Sequence, residues 1–227
     1  MRKPAGPTRR GADGDRGAVL RRDLSRRSSL LRDAWYADNR DVIKWGTLVH
    51  LAKRHHIRTI LQVAFFRSQR ALELLSDRED VGIPEEVWDH FRDVRQVKRL
   101  EERCGLKIEV LDLPFTPRLR ANYMDVVVQV ISNRRGAKIV LLDPDTGIER
   151  QSAPQKHVKV GEVQQVWRVL RTGDWLVLYQ HKSRTPDWLR SAKRKFATAC
   201  SPARVSTFSS PRIAPDVVFF ATAKRHD

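Results

Sequence analysis

Arg204-Val205-Ser206-Thr207-Phe208 and Asp216-Val217-Val218-Phe219-Phe220-Ala221 decide how this chain folds. Both runs are rich in β-branched and aromatic residues, the composition of strands in a packed sheet. Only seven residues separate them. A parallel crossover needs roughly a dozen residues or more, usually with a helix, so the pair is expected to form an antiparallel hairpin.

Upstream the pattern is different. Residues 59–66, 107–111, 137–142 and 175–179 are short apolar runs that read as strands. Helices are predicted between and around them, over about 41–54, 118–133, 162–170 and 186–199, with Gly105, Gly136 and Gly173 as stop signals. The charged stretch 67–104 reads as helices near 68–76 and 84–103. Strands that alternate with helices indicate a parallel sheet, and the nearly uniform apolar run at 137–142 indicates a strand covered on both faces. The fold class expected is therefore α/β, a doubly wound and mostly parallel sheet. Its C-terminal antiparallel hairpin should insert a strand near one edge.

The chain has 227 residues, with 44 Lys+Arg against 27 Asp+Glu and a net charge of +17. Residues 1–30 hold nine Lys/Arg against three Asp, with interspersed Gly and Pro, and show little apolar periodicity. Residues 1–32 thus read as a disordered basic arm and residues 33–227 as one α/β domain. No apolar run approaches the ~20 residues of a membrane span, and the N-terminus lacks a secretory apolar stretch. Cys104 and Cys200 make neither a metal cluster nor a disulfide framework. A cytoplasmic protein is expected. The high positive charge makes nucleic acid the expected partner and no membrane-spanning role is anticipated.

Leu141-Leu142-Asp143-Pro144-Asp145-Thr146-Gly147-Ile148-Glu149 is the sharpest local feature. It sets two carboxylates in a turn just past an apolar strand, and strand ends of this kind form the ligand crevice of doubly wound sheets. Tyr179-Gln180-His181-Lys182-Ser183-Arg184 ends the next strand and should lie beside that turn. His181 suits general acid or base work, while Lys182 and Arg184, with Lys156 in the preceding loop, suit phosphate. Asp38, Asp41 and Lys44, at helical spacing, can reach the rim of the same crevice.

The closing hairpin resembles that of the Rossmann-like class I methyltransferases. The Asp143 turn is similar in position to the Asp/Asn-Pro-Pro-aromatic motif of amino-methyltransferases acting on nucleic-acid bases. Residues 37–45, Ala-Asp-Asn-Arg-Asp-Val-Ile-Lys-Trp, resemble a shortened opening of the large-subunit ribosomal RNA adenine-N6 methyltransferase family. The chain looks closer still to uncharacterised bacterial and phage proteins with a Leu-Asp-Pro-Asp-x-Gly-Ile/Leu-Glu turn, over about residues 35–185. The resemblance implies S-adenosylmethionine as cofactor, bound near Asp38, Asp41, Lys44 and Phe65. It also implies that Asp143 and the carbonyl of Pro144 hold the target amine, beside Asp145 and His181, with Tyr179 among the residues that contact nucleic acid.

Three departures qualify what the resemblance implies. Asp145 replaces the second proline and Thr146 the stacking aromatic. There is also no glycine between Thr47 and Val81, where the cofactor-binding turn would lie. Two alternatives follow. Asp143, Asp145 and Glu149 are oxygen ligands suited to Mg²⁺ in a metal-dependent nuclease, with Lys156 or Lys159 as the lysine. A non-catalytic nucleic-acid-binding protein would need only the basic surface.

Overall fold

The computed structural model describes residues 39–65, 73–75, 80–82, 97, 99–111, 113–149, 156–201 and 203–225. The expected basic arm and most of the helix expected over 84–103 lie outside these residues. Helix α1 (Asn39–Arg54) leads into strand β1 (Thr59–Ala64), followed by β2 (Glu73–Leu75), β3 (Asp80–Gly82), α2 (Arg99–Cys104) and β4 (Lys107–Leu111). Then come α3 (Arg120–Asn133), β5 (Lys138–Asp143), β6 (Gly147–Ile148), β7 (His157–Val158) and α4 (Val160–Val169). The chain continues with β8 (Trp175–His181), α5 (Trp188–Ala199), β9 (Ser206–Ser210) and β10 (Ala214–Ala223).

Six strands form one sheet in the order β4-β1-β5-β8-β10-β9. β1 pairs in parallel with β4 and β5, and β5 with β8, so the four expected parallel strands run the same way. β10 runs antiparallel to both β8 and β9 and lies between them. The helix expected near 68–76 is corrected at 73–75: Glu-Leu-Leu favours helix locally, but there it pairs antiparallel with Asp80-Val81-Gly82. Strand pairing overrides the weak helical preference of three residues.

The period-2 alternation of each strand sorts its side chains onto two helical layers. Leu61, Val63, Val140, Leu142, Leu176 and Leu178 pack with α3, α4 and α5. Ile60, Ile139, Leu141, Val177 and Tyr179 pack on the other face with α1 and α2. His55, just past the end of α1, stacks on Trp175 at 4.4 Å, so α1 runs antiparallel to the parallel strands and its first turn lies over their carboxyl ends. At the opposite edge, Lys138 and Asp174 form a fully buried ion pair at 2.8 Å. Asp174 also accepts from the backbone N–H groups of Lys138 and Arg171, so its buried charge is well satisfied.

No helix among the described residues is long and apolar enough to cross a membrane.

Candidate functional site

The order of the sheet reverses at β1. From β1 the chain moves to β4 on one side, then crosses back to β5 on the other. The crevice beyond the carboxyl ends of β1 and β5 is therefore a topological switch point, where open α/β sheets bind ligands. Asp143 is the last residue of β5 and stands at that point.

The alternation that buries the core also aims the polar residues. Asp143 continues the series Ile139-Leu141, and Gln62 follows Ile60 on the same face of β1. Gln62 Nε2 donates to Asp143 Oδ2 at 2.7 Å. Since its nitrogen faces a carboxylate, the amide orientation is fixed, and Gln62 Oε1 is left buried with no partner among the described residues. A buried acceptor without a donor is costly unless something supplies one.

Lys44, on the second turn of α1, closes the same cluster from above. Its ammonium lies 2.7 Å from Asp41 Oδ1 and 2.8 Å from Asp143 Oδ2. Burial alone would lower its pKa, but the carboxylates of Asp143 and Asp41 outweigh that and hold it above the ordinary lysine range. Asp38 lies outside the described residues.

A second polar group borders the first. Arg40 Nη2 lies 2.5 Å from Asp216 Oδ2, and His181 Nε2 lies 3.1 Å from the same oxygen. The hydrogen bond from Arg40 holds the Asp216 carboxyl below its ordinary value, with a further contribution from His181. His181 Nδ1 faces the Lys182 carbonyl at 2.9 Å, so both ring nitrogens meet oxygen acceptors. Tyr179 is the wall between the groups. It is 7% exposed, packs edge-to-face on Phe219, and its phenol is pushed up by burial and then by Asp143. It therefore does not offer the open stacking surface expected of a nucleic-acid contact.

The Asp143 turn is fastened to β8 by Gln180. Its Oε1 accepts from Ile148 N–H at 2.9 Å, and its Nε2 donates to the carbonyl of Thr146 at 3.1 Å. Gly147 makes this approach possible: its φ is +103°, and a Cβ there would lie 2.3 Å from Gln180 Oε1. Pro144 is buried in this turn, whereas Asp145 is exposed. Thr146 donates from both backbone and hydroxyl to the carbonyl of Lys156, which pins the returning loop to the turn. Lys156, Lys182 and Arg184 are exposed at this edge.

Phe65 departs from its expected role. It is 6% exposed and packs 5.4 Å from both Phe115 and Tyr123, while Tyr123 donates to the carbonyl of Ala64. It is a core residue. The metal set also fails to assemble. Glu149 accepts from the N–H of Val160 at the start of α4, and no group of three or more His, Cys, Asp or Glu among the described residues can hold a metal ion.

The structure thus brings together Asp41, Lys44, Asp143 and His181 from the expected set, and adds Arg40, Gln62, Gln180 and Asp216. Gln62 carries a signal, a single amide within the apolar run of β1. Asp216 carries none, since a carboxylate at the start of a strand is commonplace. In comparisons with known proteins, the chain matches no protein-family model and no curated protein.

Proposed function

We propose that this chain is a methyltransferase-like protein that acts on nucleic acid, with the end of β5 receiving the amino group of a base. The sheet order supports a class I, Rossmann-like methyltransferase reading of the fold, because β10 is antiparallel and inserted between β8 and β9.

The carrying observation is the acceptor chemistry around Asp143. A base amine has two N–H donors, and Gln62 Oε1 is a buried acceptor that lacks one. Asp143 or the carbonyl of Pro144 accepts the second, which fixes the amine and orients its lone pair, a positioning effect. His181, tethered to Asp216, can exchange a proton at the same edge. Lys156, Lys182 and Arg184 supply phosphate contacts.

S-adenosylmethionine is the donor that this fold class implies, and it would supply the methyl group. The described part of the first turn, Phe65, does not fit it, because its ring packs into the core against Phe115 and Tyr123 instead of leaving open backbone, and the Ala64 carbonyl accepts from Tyr123. The role assigned to these residues therefore stops at holding the amine. The same Phe65 packing favours a second reading, a non-catalytic nucleic-acid-binding protein of this fold.

Calorimetric titration of the full chain with S-adenosylmethionine and with DNA and RNA oligonucleotides separates these readings. Saturable oligonucleotide binding is expected, weakened by Asp143→Ala when the bases carry amino groups and unaffected when the strand is abasic. Transfer of labelled methyl groups to the oligonucleotide selects the enzyme. Oligonucleotide binding without donor binding selects the non-catalytic reading, and Mg²⁺-dependent cleavage selects a nuclease. Absence of any oligonucleotide binding rejects the nucleic-acid assignment altogether.

A further inference from the structure

A cavity of about 390 Å³ opens at the amino-terminal edge of β8, away from the Asp143 crevice. β8 runs for seven residues from Trp175, which lines the cavity, to His181, a span of roughly 20 Å at the rise of an extended strand. The two sites therefore occupy opposite edges of the sheet.

The lining is one-sided in its chemistry. Arg204, Arg225, Ser201 and Ser206 are among its lining residues, and no acidic residue among the described residues lines it. Neither arginine is paired with an acidic side chain among the described residues, and both are exposed. Trp167 forms part of the wall, and its indole N–H is buried without an acceptor among the described residues. The ammonium of Lys224 lies 4.7 Å above the same ring and adds a further positive charge. Cys200, also in the lining, is protonated at neutral pH, because burial pushes its thiol up to about 12.

We propose that this cavity is a second binding site, for a small molecule that bears a phosphate group. Guanidinium groups match phosphate oxygens in fork geometry, and two arginines without an acidic partner among the described residues disfavour a cationic ligand. The volume falls within the ~300–1,000 Å³ of small-molecule pockets and holds a metabolite-sized ester. This assignment is independent of what the Asp143 crevice does.

Trp167 and Trp175, two of the chain's six tryptophans, line the cavity, so its occupancy changes the fluorescence of the chain. The full chain is titrated with inorganic pyrophosphate at constant ionic strength, alongside the double variants Arg204→Gln/Arg225→Gln and Arg190→Gln/Lys193→Gln. These remove equal charge, the second pair from helix α5, outside the cavity lining. The assignment expects a saturable fluorescence change whose affinity falls about a hundredfold or more in the cavity variant, about tenfold per guanidinium, the scale of a charge-assisted hydrogen bond. The Arg190/Lys193 variant should bind as the parent does. Equal losses in both variants would mark general attraction to a basic protein and overturn the assignment, as would the absence of saturation. A short single-stranded oligonucleotide that displaces pyrophosphate, with greater affinity that depends on Arg204 and Arg225, would overturn the small-molecule assignment.

Discussion

Lys44 and Asp143 meet at 2.8 Å, one from the second turn of the first helix and the other from the end of a central strand. Their contact draws α1 down onto the carboxyl edge of the sheet. Both side chains are largely buried, as is Asp41, the second partner of the ammonium.

Lys44→Met should therefore be far more costly than the loss of a surface ion pair. It leaves two carboxylates mostly buried with no cation between them, a loss on the order of 3 kcal/mol for a broken buried pair. Urea denaturation of parent and variant measures it. A difference under about 1 kcal/mol, the size of an exposed pair, would show that water solvates the cluster.

Gly147→Ala should destabilise the turn by about 1–3 kcal/mol, since alanine is strained at positive φ. The collision with Gln180 adds to that strain. Gly136→Ala is the control, because Gly136 has φ +77° but no atom within 4 Å of where a Cβ would stand. Equal melting-temperature losses in the two variants would mean that Gln180 yields without cost.

Asp216 sets the acid limit of the Arg40–Asp216–His181 group. Its carboxyl is held below the ordinary 3.8 by the hydrogen bond from Arg40. A depressed folded-state pKa stabilises above the unfolded value and loses that contribution as pH falls through the folded one. The stability gap between the parent and Asp216→Asn should thus be present at about pH 5 and close as pH falls below about 4. A gap that persists undiminished to about pH 2 would assign the effect to shape instead of charge.

Lys182 and Arg184 should contribute phosphate contacts and no base selectivity. Replacing both by Ala should lower the slope of log K against log salt by about 1–2 for an oligonucleotide ligand, and weaken all sequences alike. Binding measured at several salt concentrations tests this. An unchanged slope places the nucleic acid elsewhere.

The main sheet is legible in the sequence because its strands are short, apolar and β-branched, and glycines punctuate the helices between them. Strand β5 is expected at 137–142 and lies at Lys138–Asp143; the closing hairpin also lies within two or so residues of its expected bounds. The β2–β3 pairing is not legible, since Glu73-Leu74-Leu75 carries no strand signal of its own. Asp143 is visible as a carboxylate ending an apolar strand. The Arg40–Asp216 contact is not, because it joins the first described helix to the last strand and depends entirely on where β10 enters the sheet.

The position of β10 also orders events during synthesis. β9 leaves the ribosome before β10, yet in the sheet its neighbour is β10 and not β8. Until β10 emerges, β8 presents an unpaired edge and β9 has no partner in the sheet. A nascent chain halted between them would expose a row of free backbone donors and acceptors, the template for pairing with another chain. Insertion of β10 closes that edge and, in the same movement, delivers Asp216 to Arg40 and His181. The second polar group of the crevice is thus completed only when the sheet itself is complete.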